Sequence, residues 1–541
     1  MNHHLITLLK IILLWGFLIA ANLFIRPLMP IDETRYVSVA WEMWSSSDFL
    51  VPHLNGETYS HKPPLLFWLM SLSWWIFGVN DWTPRIISPL FALGSILLSR
   101  LVARELWRER PQISEITPFI LLGTSIWLIY STLTMFDMLL AFFVLLAIFS
   151  ILKLSKSNAW HNVLLFGFAI GGGVFSKGPV VLLQILPVAL LAPWWIQKNS
   201  VHFRWREWYL KVVSAVFIGA SLALIWAIPA GISGGEAYRN AIFLGQTSGR
   251  LVESFAHKLP WYWYLERLPL FLLPWLFFKP LWQGVFKLNL NDCGIRFCVA
   301  WLLPVLIMFS LVSGKRIHYL LPLMPAFALC LARAADEIKD IRAWQKAYCS
   351  VFVLFLFLVL VAMVFPMLND HFHWVKNLTL GGKLSRIVTI CLLLVMPLGW
   401  FFIKNKNVSQ IVFYTTISSI IVPTLFALCY LEPNSERFNT KPIAEKIAQF
   451  QTQNNVAFYA GKYHDQFQFT GRLTQPLTLL DSHEALQNWV KIHSDGFVLC
   501  DSEKMPSDMV AFSHAYRAGE LGFVQSEKLL QDSTLIHYFS P

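Results

Sequence analysis

Charge is the scarcest property of this chain. Only 14% of its 541 residues are Asp, Glu, Lys or Arg, against about 25% in a typical soluble domain, which argues against an ordinary water-soluble protein. Cysteine is sparse too: Cys293, Cys298, Cys330, Cys349, Cys391, Cys429 and Cys500 are the seven present, and none forms a CxxC pair. That spacing excludes a disulfide framework and the usual zinc sites. No strand-led glycine loop for phosphate is found: Gly171-Gly172-Gly173 lies inside an apolar helical run, where close helix packing explains it better. There is no internal repeat and no low-complexity segment. The first apolar run, Ile6 to Leu23, has no small-residue cleavage site after it and is too long for a signal-peptide core, so it reads as a spanning helix.

What is present is hydrophobic. Apolar residues make up 56% of the chain, with 24 Trp and 43 Phe, and the mean hydropathy is +0.53. A spanning helix needs about 20 apolar residues. Runs of that kind start near residues 5, 84, 116, 135, 161, 179, 208, 266, 294, 316, 346, 386 and 408, which predicts about thirteen helices and a polytopic α-helical membrane protein. Pro63 to Phe77 is shorter and Pro-led and reads as interfacial or re-entrant. With that choice, and the N-terminus in the cytoplasm, the cytoplasmic loops collect Arg104, Arg108, Arg110, Lys153, Lys156, Arg333 and Lys339, as the positive-inside rule requires. The net charge of +11 thus reflects membrane topology, with lipids as partners and not nucleic acid.

Two outer loops are long, residues 26–83 and 231–265. From Glu432 the composition turns polar, and residues 432–541 read as an α/β domain outside the membrane, in the periplasm of a Gram-negative cell, with strands at Val456–Tyr459 and Phe497–Leu499 and a helix over Ser482–Ile492. Residues 1–431 form the transmembrane domain.

Under this topology the boundary-placed polar groups converge on the outer face. They are Asp32, Glu33 and Arg35 after the first helix; His61 and Lys62 at the interfacial segment; Asp137; Lys177; Arg250 and His257 in the second outer loop; and Lys315, Arg316, His318 and Tyr319. Ionisable residues at membrane depth are costly and tend to mark sites. Each has a plainer reading. Asp32, Glu33 and Asp137 suit helix N-termini, the cations can snorkel, and the histidines fit an ordinary interface. Together they match sugar transfer from a lipid phosphate. That reaction needs a carboxylate to take the acceptor's proton or orient a cationic sugar, and cations around the departing phosphate. Asp32 or Glu33 suits the first need; Lys62, Arg250, Lys315 and Arg316 suit the second.

Three segments in this order carry a resemblance: Asp32-Glu33-Thr34-Arg35-Tyr36, His61-Lys62-Pro63-Pro64-Leu65-Leu66-Phe67-Trp68, and Lys315-Arg316-Ile317-His318-Tyr319-Leu320-Leu321-Pro322. They resemble the ArnT-like aminoarabinose transferases and, more broadly, the GT-C superfamily that includes protein O-mannosyltransferases. The resemblance implies a GT-C fold and inverting transfer of 4-amino-4-deoxy-L-arabinose from undecaprenyl phosphate to lipid A or a related envelope glycolipid, at the periplasmic face of the inner membrane. It implies Asp32 as the catalytic carboxylate, with Asp137 as the second acidic residue. Lys62, Arg250 and Tyr319 would hold the carrier phosphate, and Lys177 would line the same cavity. A protein O-mannosyltransferase-like activity is the alternative, and a lipid or solute transporter the more distant one, since paired halves and mid-helix charges are lacking. A divalent metal is the one cofactor the family suggests, with His61 and His257 as candidate ligands. Two departures bear on it: His61 stands where the family carries an acidic residue, and Gly245-Gln246-Thr247-Ser248-Gly249 lacks a Glu-His pair before Arg250.

Overall fold

The computed structural model describes residues 3–531, apart from 158, 197–203, 246–258, 373–402, 404–405, 429–431, 433, 453–454, 504 and 507. Helices dominate. The first is α1 (His3–Ile25), followed in the 26–83 loop by α2 (Asp32–Ser46), a hairpin of β1 (His53–Leu54) and β2 (Glu57–Thr58), and α3 (Leu65–Phe77). Then come α4 (Thr83–Leu106), α5 (Pro111–Gly123), α6 (Ser125–Ser131), α7 (Asp137–Lys156), α8 (Trp160–Lys177) and α9 (Val180–Leu190). Among the described residues six helices are long and apolar enough to cross a membrane, or seven if the bent pair α5–α6 is one span. The chain is a multi-pass membrane protein. At 13 residues, α3 reaches only about 20 Å at 1.5 Å per residue, short of the ~30 Å hydrocarbon core, as the interfacial reading expects.

Two of the apolar runs take forms that hydropathy does not show. The run near residue 266 is not one helix. It breaks into Trp263–Phe271, a 3-10 turn Trp275–Phe277 and Lys279–Val285, with Pro274 between the first two pieces and Pro280 opening the third, where each lacks a backbone donor. The run near 116 bends by 67° between α5 and α6. There the Trp275 indole donates to the Ile120 carbonyl (3.0 Å) and Thr124 Oγ1 (3.2 Å), filling the bend. The run near 386 lies outside the described residues.

Close packing at glycine builds the bundle. A Cβ on Gly172 would lie 2.2 Å from the Phe143 ring, and one on Gly173 2.4 Å from Val181. Gly167 and Gly219 likewise let α8 and the helix Trp205–Ser233 interlock, each facing an isoleucine of the other.

The ends of the bundle differ in chemistry. At one end Glu105 pairs with Lys153 (2.8 Å), Lys156 (3.1 Å) and Arg108 (2.8 Å), while Arg110 pairs with Asp336 (2.8 Å) and Arg333 with Asp292 (2.9 Å). The C-termini of α4 and α7 meet there, so their N-termini meet at the other end, where Ser88 Oγ donates to the Met135 carbonyl at 2.8 Å.

The C-terminal segment is α/β. Its five-stranded sheet has the order β4-β3-β5-β7-β6, from β3 (Val456–Tyr459), β4 (Thr478–Leu479), β5 (Phe497–Asp501), β6 (Val510–Tyr516) and β7 (Gly519–Gln525). β3 runs parallel to β4 and β5, while β7 is antiparallel to β5 and β6. Alternation assigns the faces. Val456, Phe458, Phe497 and Leu499 pack with Ile443 and Ile447 of the helix Lys441–Gln451. Ala457, Tyr459, Val498 and Cys500 pack with Leu486, Trp489 and Val490 of the helix His483–Ile492, whose first turn the Ser482 hydroxyl caps.

Residues 465–477 dock this unit on the outer loop. The Trp41 indole donates to the Leu473 carbonyl (2.7 Å), Phe469 stacks on Trp74 with ring centroids 5.2 Å apart, and Arg472 pairs with Asp81 (2.6 Å). The Asn55 N–H at the hairpin tip donates to both the Glu42 carboxylate (2.6 Å) and Asp465 Oδ2 (2.8 Å). Two carboxyls sharing one donor need a proton between them. Burial, and then Glu42, push the Asp465 carboxyl well above its ordinary range. An acid whose folded value is raised favours its protonated form on folding, so it contributes fully at acid pH and that contribution is lost as pH rises through the raised value. Docking is therefore expected to loosen as pH is raised above about 4, and Asp465→Asn is expected to flatten that dependence. Hydrogen exchange of residues 465–477 against pH reads both; an unchanged slope in the variant would contradict the shared proton.

Candidate active site

The site is assembled from the start of α2, the segment before α3, the start of α7, the end of α8 and the 3-10 turn Ile317–Leu323. Asp32 opens α2. Its side chain is 55% exposed and ion-paired with Arg35. Neither Asp32 nor Glu33 caps the helix, whose N-cap position is Ile31 with no side-chain hydrogen bond. One turn on, Tyr36 is buried edge-on against Phe136 at 5.0 Å. Burial, and then the nearby Asp32 carboxylate, raise its phenol, so it stays protonated.

Asp137 is the first residue of α7, buried, and its carboxylate receives Lys177 Nζ at 2.5 Å. Lys177 ends α8, where Gly178 (φ +81°) turns the chain away, and its ammonium lies 4.8 Å from the Tyr319 ring centroid. Half-buried Lys62 sits 6.0 Å from the Phe136 ring centroid. Lys62, Lys177 and His318 are all within electrostatic reach of Asp137. Tyr130 stacks at 5.7 Å on His318 and feels Asp137, Arg316 and Asp32 together, which joins the two carboxylates into one region. Arg35, Lys62, Lys177 and Arg316 outnumber Asp32 and Asp137 there, and such an excess favours an anionic ligand.

Two expected members are used otherwise. Glu33 is buried against Arg26 and accepts from Met29 N (2.8 Å) and Thr134 N (2.6 Å). Arg26 in turn donates to the Thr132 carbonyl (2.8 Å). The pair therefore holds the Thr132–Thr134 turn that presents Asp137, and its carboxylate does not face the open region. Lys315 is buried and donates to the carbonyls of Leu259 (2.9 Å) and Val312 (2.5 Å), tying the Ile317–Leu323 turn to the segment before Trp263. Its ammonium is thus committed to backbone, and the Val312 carbonyl it takes lies at the end of the helix Cys293–Leu311, where the last carbonyls have no onward helical donor.

Arg250 and His257 lie outside the described residues. His61 is exposed, its ring 5.2 Å from that of Tyr59. Among the described residues no three His, Cys, Asp or Glu side chains are grouped as a metal requires. The described residues thus present no set of ligands for a divalent ion. Tyr36, Tyr59 and Tyr130 were not singled out from sequence. The four-residue spacing of Asp32 and Tyr36 on one helix could have revealed Tyr36; nothing local marks Tyr130.

Residues 61–228 match the family model of dolichyl-phosphate-mannose-protein mannosyltransferases. The chain is 31% identical over 320 residues to an undecaprenyl phosphate-α-4-amino-4-deoxy-L-arabinose arabinosyl transferase of Pseudomonas fluorescens, covering 57% of this chain and 56% of that protein. It is 28% identical over 367 residues to the like-named transferase of an Enterobacter species, covering 64% of each. The matched region thus spans less than two thirds of these curated relatives. Among solved structures, ArnT from Cupriavidus metallidurans bound to undecaprenyl phosphate superposes with a TM-score of 0.75 at 17% identity, over 96% of this chain and 97% of that one. An oligosaccharyltransferase from Archaeoglobus fulgidus in complex with an inhibitory peptide and a dolichol-phosphate gives 0.53 at 11% identity, over 91% and 69%. The bundle, the helices of residues 26–83 and the terminal sheet together give this chain the fold of the solved ArnT structure.

Proposed function

We propose that this chain transfers 4-amino-4-deoxy-L-arabinose from undecaprenyl phosphate to lipid A or a related envelope glycolipid, at the periplasmic face of the inner membrane. In this reading residues 1–431 form the catalytic membrane domain and residues 432–541 the periplasmic domain. The observation that carries it is the solvent-facing Asp32 carboxylate near a group of cations, Lys62, Lys177 and Arg316, around Asp137. The curated relatives named above are arabinosyl transferases of this kind.

The acceptor oxygen attacks the anomeric carbon from the Asp32 side and its proton passes to Asp32. The bond from the anomeric carbon to the carrier phosphate oxygen breaks, and the electron pair leaves on undecaprenyl phosphate. Cations act most strongly on that leaving phosphate, where charge develops. The Asp137 carboxylate orients Lys177; Arg250 and Tyr319 complete the phosphate side.

Lys62→Ala is expected to raise the KM for donor by roughly ten- to a hundredfold, the loss of one charge-assisted hydrogen bond of about 1.5–3 kcal/mol. Steady-state rates at varied donor concentration check this, and an unchanged KM would remove Lys62 from the phosphate.

The match to mannosyltransferases over residues 61–228 favours one second reading, transfer of a polyprenyl-linked sugar to protein. Incubating the purified protein and labelled donor with lipid A, or with a protein acceptor, separates the two. Label in protein alone would refute the glycolipid reading, and mass spectrometry of envelope lipids from a deletion strain tests it in the cell.

A further inference from the structure

The C-terminal sheet brings a second group of cations to Asp32, from residues far away in sequence. The loop after β3, Ala460 to Asp465, leaves the carboxyl end of a strand that is parallel to both its neighbours, the end at which open α/β sheets bind ligands. Left-handed residues bracket it, Gly461 (φ +76°) and Asp465 (φ +57°). The loop is fixed on α2 itself: Ser38 Oγ donates to the Asp465 carbonyl at 2.6 Å and accepts from Phe469 N at 3.1 Å. Ser38 lies about one turn beyond Arg35, and the residue before Asp465, His464, is within electrostatic reach of both Arg35 and Asp32. Half-buried His464 feels Arg35, Lys462, Asp32 and Arg517. Arg517 arrives from the β6–β7 turn, held by its N–H to the Arg437 carbonyl at 2.7 Å. Lys462 and Arg517 are exposed.

We propose that Lys462, His464 and Arg517 form the acceptor side of the site and hold a phosphate group of the acceptor headgroup next to Asp32. The inference rests on the transferase reading above and gives the C-terminal unit its task. One phosphate leaves with the carrier, and a phosphate on the incoming headgroup, separate from the attacking oxygen, is a second anion to be held. Lys62 and Lys177 are within electrostatic reach of Asp137, whereas the loop is within reach of Asp32. Around His464 the cations Arg35, Lys462 and Arg517 accompany the Asp32 carboxylate, an excess of positive charge suited to a phosphate monoester. Burial, then Arg35 and Lys462, hold the His464 imidazole below its ordinary value. It is therefore neutral near pH 7 in the free protein and can donate one N–H, and a bound dianion would return its second proton.

The test uses the full chain in lipid nanodiscs, with Lys462→Ala, His464→Gln and the double variant Lys462→Ala/Arg517→Ala. The KM for lipid A is expected to rise on the order of tenfold in each single variant and further in the double. The KM for donor should be unchanged, and Lys462→Arg should restore the acceptor KM. A purely structural role would move both KM values and the melting temperature together, and that result, or unchanged acceptor KM, overturns the proposal. Direct binding is measured in parallel, with bisphosphorylated lipid A and its dephosphorylated form. The wild type should prefer the phosphorylated lipid and the double variant should lose that preference; equal preference in the two overturns the cradle. If wild-type protein transfers no sugar, the transferase reading fails, while the binding measurement still decides the cradle.

Discussion

Asp32→Asn is expected to slow sugar transfer by about 10²–10⁴-fold, the range for removing a positioned general base, while the protein folds and binds its carrier as before. The amide keeps the shape of the carboxylate but neither takes a proton nor neutralises Arg35. Stability should hardly change, because the Asp32–Arg35 pair lies at the surface of the first helical turn, where such pairs are worth about 0–1 kcal/mol. Initial rates with labelled donor and lipid A, beside carrier binding and melting temperature, separate the chemical step from the rest. Full activity in the variant would end Asp32's role. Glu33 could not inherit it, since its carboxylate is enclosed by Arg26 and the backbone of Met29 and Thr134. Asp137 would be the remaining carboxylate of the region.

The second large effect falls on stability. Glu33→Gln should destabilise the outer-loop assembly by about 3–5 kcal/mol, because it leaves the Arg26 guanidinium buried without its counter-charge. Replacing both partners with apolar side chains, Arg26→Met with Glu33→Leu, should cost less than either single change, since the penalty lies in the orphaned charge. Thermal unfolding in detergent reads all of these; a double variant worse than both singles would contradict the account. Acidity offers an independent check. Burial alone would raise the Glu33 carboxyl, but Arg26 and the N–H groups of Thr134 and Met29 outweigh it and hold the carboxyl below its ordinary range. A depressed acid contributes fully above its unfolded value and loses that contribution as pH falls. Wild-type stability should therefore decline below about pH 4.3 more steeply than that of the Gln variant. The opposite dependence expected at Asp465 makes the two carboxyls distinguishable in one titration: acid loosens the Arg26–Glu33 tie and tightens the docking of residues 465–477.

Much of the site could be read from single residues. Asp137 and Lys177 stand at helix ends beside apolar runs, and the structure brings them into contact. Lys62 and Tyr319 were marked by their segments and fall in the same region. Glu33 and Lys315 show the limit of that method. Each sits next to a residue that faces the site, and one step along the chain turned the side chain into backbone partners. Adjacent residues on a helix point about 100° apart, so neighbours in a motif need not share a role.

The amino-acid sequence by itself determined that this chain enters a membrane many times, which loops are basic, that its C-terminal part is α/β with strands at Val456–Tyr459 and Phe497–Leu499, and which carboxylates and cations lie at helix ends. Those properties follow from local hydropathy, charge and periodicity, which act over one element at a time. Only the tertiary structure decided that Glu33 holds Arg26 and the turn before Asp137, that prolines break the run near residue 266, and that His464 and Lys462 come to rest beside Asp32. These depend on contacts between segments hundreds of residues apart, such as Ser38 with Asp465, and such contacts leave no periodic trace in either segment.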